Sequence, residues 1–138
     1  MENFDPYIHH RKSIRLVEYD YSLEGLYFIT ICLHKYKHLL GNIQQDTIIL
    51  NNAGKMIEIE WLAIPNRFPT IQLHEYVVMP NHFHAILQIT NSSISFPQVN
   101  NTNEKPKSLS DVIAAFKSIT TVNYIHGVKN YGWPHLTN

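Results

Sequence analysis

The chain has 138 residues, of which 44% are hydrophobic and 12% aromatic, and its formal net charge is zero. This length and composition predict one domain with a real core and argue against a disordered chain. The zero net charge argues against a strongly electrostatic nucleic-acid binder, because such domains are usually basic. No apolar run reaches the roughly 18 residues of a membrane span.

The cellular compartment is indicated by the N-terminus and the cysteine count. Residues Met1 to His10 are polar and contain Pro6, so they do not resemble a secretory signal. Cys32 is the only cysteine, so no internal disulfide can form, and its apolar surroundings predict a small buried hydrophobic residue. A reducing cytoplasm is the expected location.

The first half of the chain predicts an arm, two strands and a helix. Residues 1–22 are interpreted as an N-terminal arm. Leu26 to Leu33 is rich in β-branched and aromatic residues and predicts a buried strand. Residues 47–50 are the clearest part of a second strand, and the two strands are expected to form a hairpin across residues 34–46.

A helix is predicted after Asn51 or Asn52, either of which can cap it. Its apolar stripe predicts an amphipathic helix with Trp61 in the core, and Pro65 is expected to end it or mark its last turn. The stripe consists of Ala53, Ile57, Trp61, Ile64 and Phe68.

Two further strands and a helix complete the predicted fold. Residues 71–79 and 82–89 predict strands joined by a tight Pro80-Asn81 turn, and residues 91–107 predict a mobile loop. Ser108 and Asp111 predict a capping box at the start of a helix. The regular structure is expected to end at the positions Gly127, Gly132 and Pro134. The order of elements favours an α+β fold, a ferredoxin-like antiparallel sheet with helices packed on one face.

His82 and His84 are the residues most indicative of chemistry. Strand alternation places both imidazoles on one face, roughly 7 Å apart, while Phe83 and Leu87 point into the core. Two such imidazoles can hold one divalent ion, and the open coordination positions suit a catalytic site better than a structural one. On spacing alone, however, two histidines on a strand face are more often unremarkable surface residues.

The surrounding sequence resembles a known family. VVMPNHFH, preceded by YFITICL and followed after a polar loop by SLSDVIAAFKSITTVNY, is similar to the REP-associated tyrosine transposases and their insertion-sequence relatives, the single-tyrosine HUH family. The opening HHRKSIRLVEYDYSLEGLYFITI also resembles the N-terminus of that family, so the resemblance runs from about His9 to Tyr124. His82, Phe83 and His84 match its histidine–hydrophobe–histidine triplet.

The resemblance implies a transposase domain over residues 23–138 that cuts and rejoins single-stranded or hairpin-flanked DNA. His82 and His84 would hold Mg²⁺ or Mn²⁺ against the scissile phosphate, where the ion acts as a Lewis acid. A tyrosine on a later helix would attack and form a 5′-phosphotyrosine, with a third metal ligand near it. Some relatives are dimers and others act alone, so a homodimer stays open.

The tyrosine region departs from the family. Relatives continue after the FKSITT-type helix into a segment resembling Trp-Gln-x-x-Tyr-Tyr, which holds the nucleophile, and we expect this segment to be absent from these residues. Tyr124 is a weak substitute, expected to be partly buried with an exposed hydroxyl, and Tyr131 is weaker still. Lys117 is expected either to contact a phosphate or to be solvated.

Alternatives to a complete nuclease therefore stay open. A basic stretch in the arm, Arg11, Lys12 and Arg15, is as well explained by DNA-backbone binding as by a solvated arm. The zero net charge and the expected lack of a nucleophile favour a module, or a transposase relic, that holds DNA without cutting it. An unrelated metal- or RNA-binding domain has less support, because the chain has no RNP-type glycine–aromatic run.

Overall fold

The computed structural model describes residues 18–90 and 107–134, which form an α+β fold. The predicted antiparallel sheet with helices on one face is confirmed. The strands are β1 (Gly25–Cys32), β2 (Gly41–Gln44), β3 (Thr47–Leu50), β4 (Ile71–Val78) and β5 (His82–Ile89). The helices are α1 (Asn52–Leu62), the short α2 (Ile64–Arg67) and α3 (Leu109–Tyr131).

The main sheet has the order β1-β5-β4, so the histidine-bearing strand β5 lies at its centre. Both neighbours are antiparallel to β5, with Cys32 opposite His82 and Thr30 opposite His84 on β1. The hairpin predicted between the first strand and residues 47–50 is wrong. Residues 47–50 form β3, which pairs with β2 in a separate two-stranded sheet.

A two-residue turn explains why β3 pairs locally. Gln45 and Asp46 connect β2 and β3, and both have positive φ angles, 48° and 59°. Positive φ at both central residues is the geometry that a tight hairpin turn needs to match the twist of its strands. Neither residue is glycine, so the usual sequence signal for this turn is missing.

The core lies between the helices and one face of the main sheet. Phe83, Ala85, Leu87 and Ile89 on β5 are all buried there, and Trp61 on α1 is 0% exposed. The indole of Trp61 meets the rings of Phe83 and Phe116 edge to face, with centroids 4.9 and 5.5 Å away. The prediction that Trp61 is a core residue is confirmed, and β5 is thereby fixed against both long helices.

The predicted helix starts are confirmed by their hydrogen bonds. The side chain of Asn51 accepts from the backbone N–H of Gly54 at 2.9 Å, and Pro65 falls in α2, after α1 has ended. At α3, the Ser108 hydroxyl accepts from the N–H of Asp111, whose carboxylate accepts from the N–H of Ser108. This reciprocal pair satisfies donors that the first turn of a helix leaves unpaired.

The end of α3 differs from the prediction at Gly127. The helix continues through Gly127 to Tyr131, and Gly132, with φ 69°, is its left-handed C-cap. The indole of Trp133 packs directly against Gly127, where a β-carbon would overlap the ring. Gly127 is therefore a packing position, and the absence of a side chain there lets the chain after α3 fold back onto the helix.

The capping box gives a first test of stability. We expect Ser108→Ala to lower the free energy of unfolding at neutral pH by about 1 kcal/mol, because the hydroxyl no longer accepts from the helix. Urea denaturation followed by circular dichroism measures the change. Ser118→Ala, at an exposed serine in the middle of α3, is the control and should be nearly neutral. Equal effects at the two serines would contradict a capping role.

The same box should make stability depend on pH. The backbone N–H and hydroxyl of Ser108 lower the pKa of the Asp111 carboxyl below its ordinary value. A carboxyl whose folded pKa is lowered contributes stability above its unfolded pKa of about 3.9 and loses it as pH falls through the folded pKa. The difference between wild type and Asp111→Asn should therefore shrink in acid.

Part of the predicted arm contacts the domain. Tyr21 packs against the core, and its carbonyl accepts from the N–H of Leu109 at 2.9 Å. The basic residues Arg11, Lys12 and Arg15 lie outside the described residues, as do residues 91–106 of the loop predicted at 91–107. Among the helices of residues 18–90 and 107–134, none combines the length and apolarity needed to cross a membrane.

Candidate metal and nucleic-acid site

His82 and His84 lie together on the sheet face opposite the helices. Their ring centroids are 4.6 Å apart, and the rings meet nearly at right angles. Phe83 between them points the other way and is 3% exposed. The alternation predicted for this strand is confirmed, so the main-sheet core holds the backbone that carries both imidazoles.

Each imidazole is oriented by a hydrogen bond at Nδ1. Nδ1 of His82 lies 2.6 Å from the side-chain oxygen of Asn81, and Nδ1 of His84 lies 2.9 Å from the hydroxyl of Thr30. An amide oxygen only accepts, so Nδ1 of His82 is the donor in this contact, which in the neutral ring leaves Nε2 as the acceptor. This arrangement is typical of metal-binding histidines, whose other ring nitrogen is held by a second group.

The pair could supply at most two ligands to a metal ion. Within residues 18–90 and 107–134, no group of three or more His, Cys, Asp or Glu side chains could hold a metal ion. Two neutral imidazoles suit Mn²⁺ better than Mg²⁺, which prefers oxygen ligands. The donor set therefore fits a weakly held ion whose other ligands come from water or from a bound phosphate.

Lys117 reaches the same region from α3. Lys117 and His82 line one cleft of about 280 Å³, between the end of β1 and α3, and Thr120 and Thr121 on the next turn border it. The structure thus brings together a lysine and a histidine that are 35 positions apart in the sequence. Lys117 therefore contributes a positively charged residue to the cleft that His82 lines.

Tyr124 lies one step further along α3. It lines a neighbouring cleft of about 260 Å³ that shares Leu33, Thr120 and Thr121 with the first. Its hydroxyl donates a hydrogen bond to the carbonyl of Pro134, and burial raises its pKa. Tyr124 is partly buried, as predicted, but its hydroxyl is engaged. Tyr131 is an exposed residue at the last position of α3.

On the other side of the histidines, the sheet face forms a shallow groove of about 390 Å³. Phe28, Thr30, Val77, His84 and Ile86 line it, and Glu75 borders it on β4. Phe28 is 81% exposed, although it stands in an apolar strand. Cys32 is also exposed, so the prediction of a buried cysteine is wrong, because the alternation of β1 turns Cys32 to this open face.

Sequence reasoning missed three residues that shape the site. Asn81 was expected only to form a turn, yet its side chain also orients His82. Thr30 contacts His84 across 54 positions, a distance over which no local pattern gives a signal. Phe28 was included in a buried strand, because a wholly apolar stretch does not reveal which residues face outward.

Comparisons with known proteins find similarity but no function. The chain is 46% identical over 82 residues to an uncharacterized protein of Haemophilus influenzae. The match covers 59% of this chain and 46% of that protein, so the chain spans about half the length of this relative. No family model matches the chain, and no solved structure matches it. The function is therefore inferred from the geometry of the site.

Proposed function

We propose that this chain is a transposase-like domain that binds single-stranded or hairpin-flanked DNA and holds Mg²⁺ or Mn²⁺ at His82 and His84. In this proposal the domain belongs to a reaction that cleaves and transfers a DNA strand through a phosphotyrosine, a step that Tyr124 is poorly prepared to carry out. The observation that carries the proposal is the pair of oriented imidazoles on the central strand. The histidine pair lies beside the cleft that Lys117 lines, and in this proposal that cleft is the site for a phosphate.

The residues of the chain would act by positioning the phosphate. Asn81 and Thr30 keep both rings in place, so little reorganisation is needed when a ligand binds. The positive charge of Lys117 would hold a phosphate oxygen near the pair. A divalent ion held by His82 and His84 would supply Lewis-acid stabilisation of charge developing on the phosphate.

A binding module without nuclease activity is the second candidate. Tyr124, the tyrosine of α3 nearest the cleft, has its hydroxyl engaged by Pro134 and its pKa raised. Attack on phosphorus needs the phenol oxygen to lose its proton, and both features oppose that loss. A domain with an oriented histidine pair and an unreactive tyrosine would bind DNA without joining to it.

Titration with Mn²⁺ tests the proposed metal site. We expect the imidazole NMR signals of His82 and His84 to broaden at Mn²⁺ concentrations that leave His74 and His126 sharp. His74 is the more stringent control, because it is an exposed histidine on the neighbouring strand β4. Its Nε2 is hydrogen-bonded to the side-chain oxygen of Gln88 at 2.9 Å. The His84→Ala variant should weaken the broadening at His82.

Uniform broadening of all four histidines would contradict a site at the pair. A thermal-shift measurement with added Mn²⁺ provides a second readout, since an ion that binds only the folded chain raises its stability. No Mn²⁺-dependent difference between wild type and the His82→Ala/His84→Ala double variant would argue against the site. If the wild-type chain shows no Mn²⁺ binding at the pair but still binds DNA, the result would favour the binding module.

A further inference from the structure

We propose that the open sheet face beside His84 is a subsite for one unpaired base, stacked on the ring of Phe28. This proposal depends on the proposed function, because it extends the phosphate site at the histidines to the base of a neighbouring nucleotide. The occupant is single-stranded DNA.

The exposure of Phe28 makes it the central residue of this face. Its register partner across the strands is Ile86, and Thr30 and Val77 flank the groove. An aromatic ring on a rigid strand offers a flat stacking surface that accepts any base. The groove volume of about 390 Å³ is within the range of roughly 300–1,000 Å³ typical of small-ligand sites.

The groove is continuous with the histidine pair. His84 lines the groove, His82 lines the cleft of Lys117, and the two rings touch each other. Phe28 is the diagonal neighbour of His84, and such neighbours lie about 7–8 Å apart. The sugar of a single nucleotide can bridge this span, with its phosphate at the histidines and its base on Phe28.

Charge places the phosphate and the base at different ends. The carboxylate of Glu75 borders the groove, so a phosphate is disfavoured there and a neutral base is not. Lys117 lies beyond His82 and favours the phosphate on that side. Gln88 follows on the same face, its side-chain oxygen bonded to His74, and its amide nitrogen can donate to a base edge.

Binding of fluorescein-labelled single-stranded DNA, measured by anisotropy in EDTA, tests the subsite without metal. We expect Phe28→Ala to weaken binding about tenfold and Phe28→Tyr, which keeps the ring, to retain it. Ile59→Ala on α1 is the matched control, because Ile59 is 65% exposed but lies on another surface. In DNA that contains 2-aminopurine, the fluorescence of this base should fall when the wild-type protein binds, and it should not fall with Phe28→Ala.

The single cysteine locates the DNA independently. Cys32 is exposed on the same face, opposite His82, so bound DNA should slow its alkylation. Protection of Cys32 together with unchanged affinity of Phe28→Ala would overturn the stacking proposal and leave DNA binding intact. Altered self-association of Phe28→Ala in sedimentation, with unchanged DNA affinity, would overturn it in favour of a protein interface.

Failure of the two proposals can be told apart. No binding of single-stranded DNA by wild type would overturn the subsite and also the DNA-binding part of the proposed function. Loss of the Mn²⁺ effect at His82 and His84, with a Phe28-dependent affinity for DNA, would reject the metal site and support the base subsite.

Discussion

Replacing Trp61 with alanine should lower the free energy of unfolding by about 3–5 kcal/mol. Trp61 is fully buried and packs edge to face on Phe83 and Phe116, so its removal leaves a large cavity between α1, α3 and β5. Its indole N–H has no hydrogen-bond partner among the described residues. Trp61→Phe should therefore be much milder, since it also removes a buried unpaired donor.

Urea denaturation of the variants measures both changes, and the neighbouring residue provides the control. Leu62 is on the same helix but 53% exposed, so Leu62→Ala should alter stability by less than about 0.5 kcal/mol. Similar stabilities for Trp61→Ala and Leu62→Ala would contradict the described core. Because Phe83 stands between the two histidines, Trp61→Ala should also loosen their orientation and weaken the Mn²⁺-dependent broadening.

The local elements of the fold were predictable because their signals are local. Period-two alternation placed His82 and His84 on one face, and Asn51 and Ser108 marked the helix starts through their capping side chains. These features depend on residues within a few positions of one another. The same is true of the Pro80-Asn81 turn, where the N–H of Met79 donates to the carbonyl of His82.

The pairing of the strands was not predictable in the same way. β1 pairs with β5, whose partner residues lie 50 to 64 positions later, and no feature of Leu26–Leu33 indicates which strand it pairs with. The Gln45-Asp46 turn lacks the glycine that usually indicates a tight hairpin in a sequence. The error at Gly127 has a different origin: Trp133 lies only six positions later, but its packing against the helix depends on how the chain turns after α3.

The candidate site likewise has features that a local motif predicts and features that depend on long-range packing. The histidine pair and Lys117 could be proposed from a short motif, but their shared cleft needed the packing of α3 against the sheet. Predicting the groove at Phe28 would have required both the strand register and knowledge of which sheet face the helices cover. Long-range packing therefore decides which of the predicted residues can act together.

The second large effect concerns chemistry, and we expect these 138 residues to form no detectable covalent adduct with DNA through Tyr124. A phosphotyrosine forms when the phenol oxygen bonds to phosphorus, the bond to the 3′ oxygen breaks and that oxygen leaves as a 3′-OH after taking a proton. Tyr124 is poorly prepared for this, because its hydroxyl proton is donated to Pro134 and burial raises its pKa.

The measurement is incubation with hairpin-end single-stranded DNA and Mn²⁺, followed by a denaturing gel. The full-length Haemophilus influenzae relative, of which the match covers 46%, is the comparison, and under the proposed function it should give a covalent band. Removing Mn²⁺ with EDTA should abolish that band, since the proposed step depends on a divalent ion. No band from the relative would count against the transposase proposal and favour a DNA-binding module.

A band from this chain would identify a nucleophile directly. If Tyr124→Phe abolishes it, Tyr124 attacks despite its hydrogen bond, and the rate should rise with pH towards its raised pKa. If Tyr131→Phe abolishes it, the exposed tyrosine at the end of α3 attacks, and the chain must bring that position to the histidines. If neither variant abolishes it, the adduct is not made by either tyrosine of α3, and the phosphotyrosine step has to be assigned elsewhere.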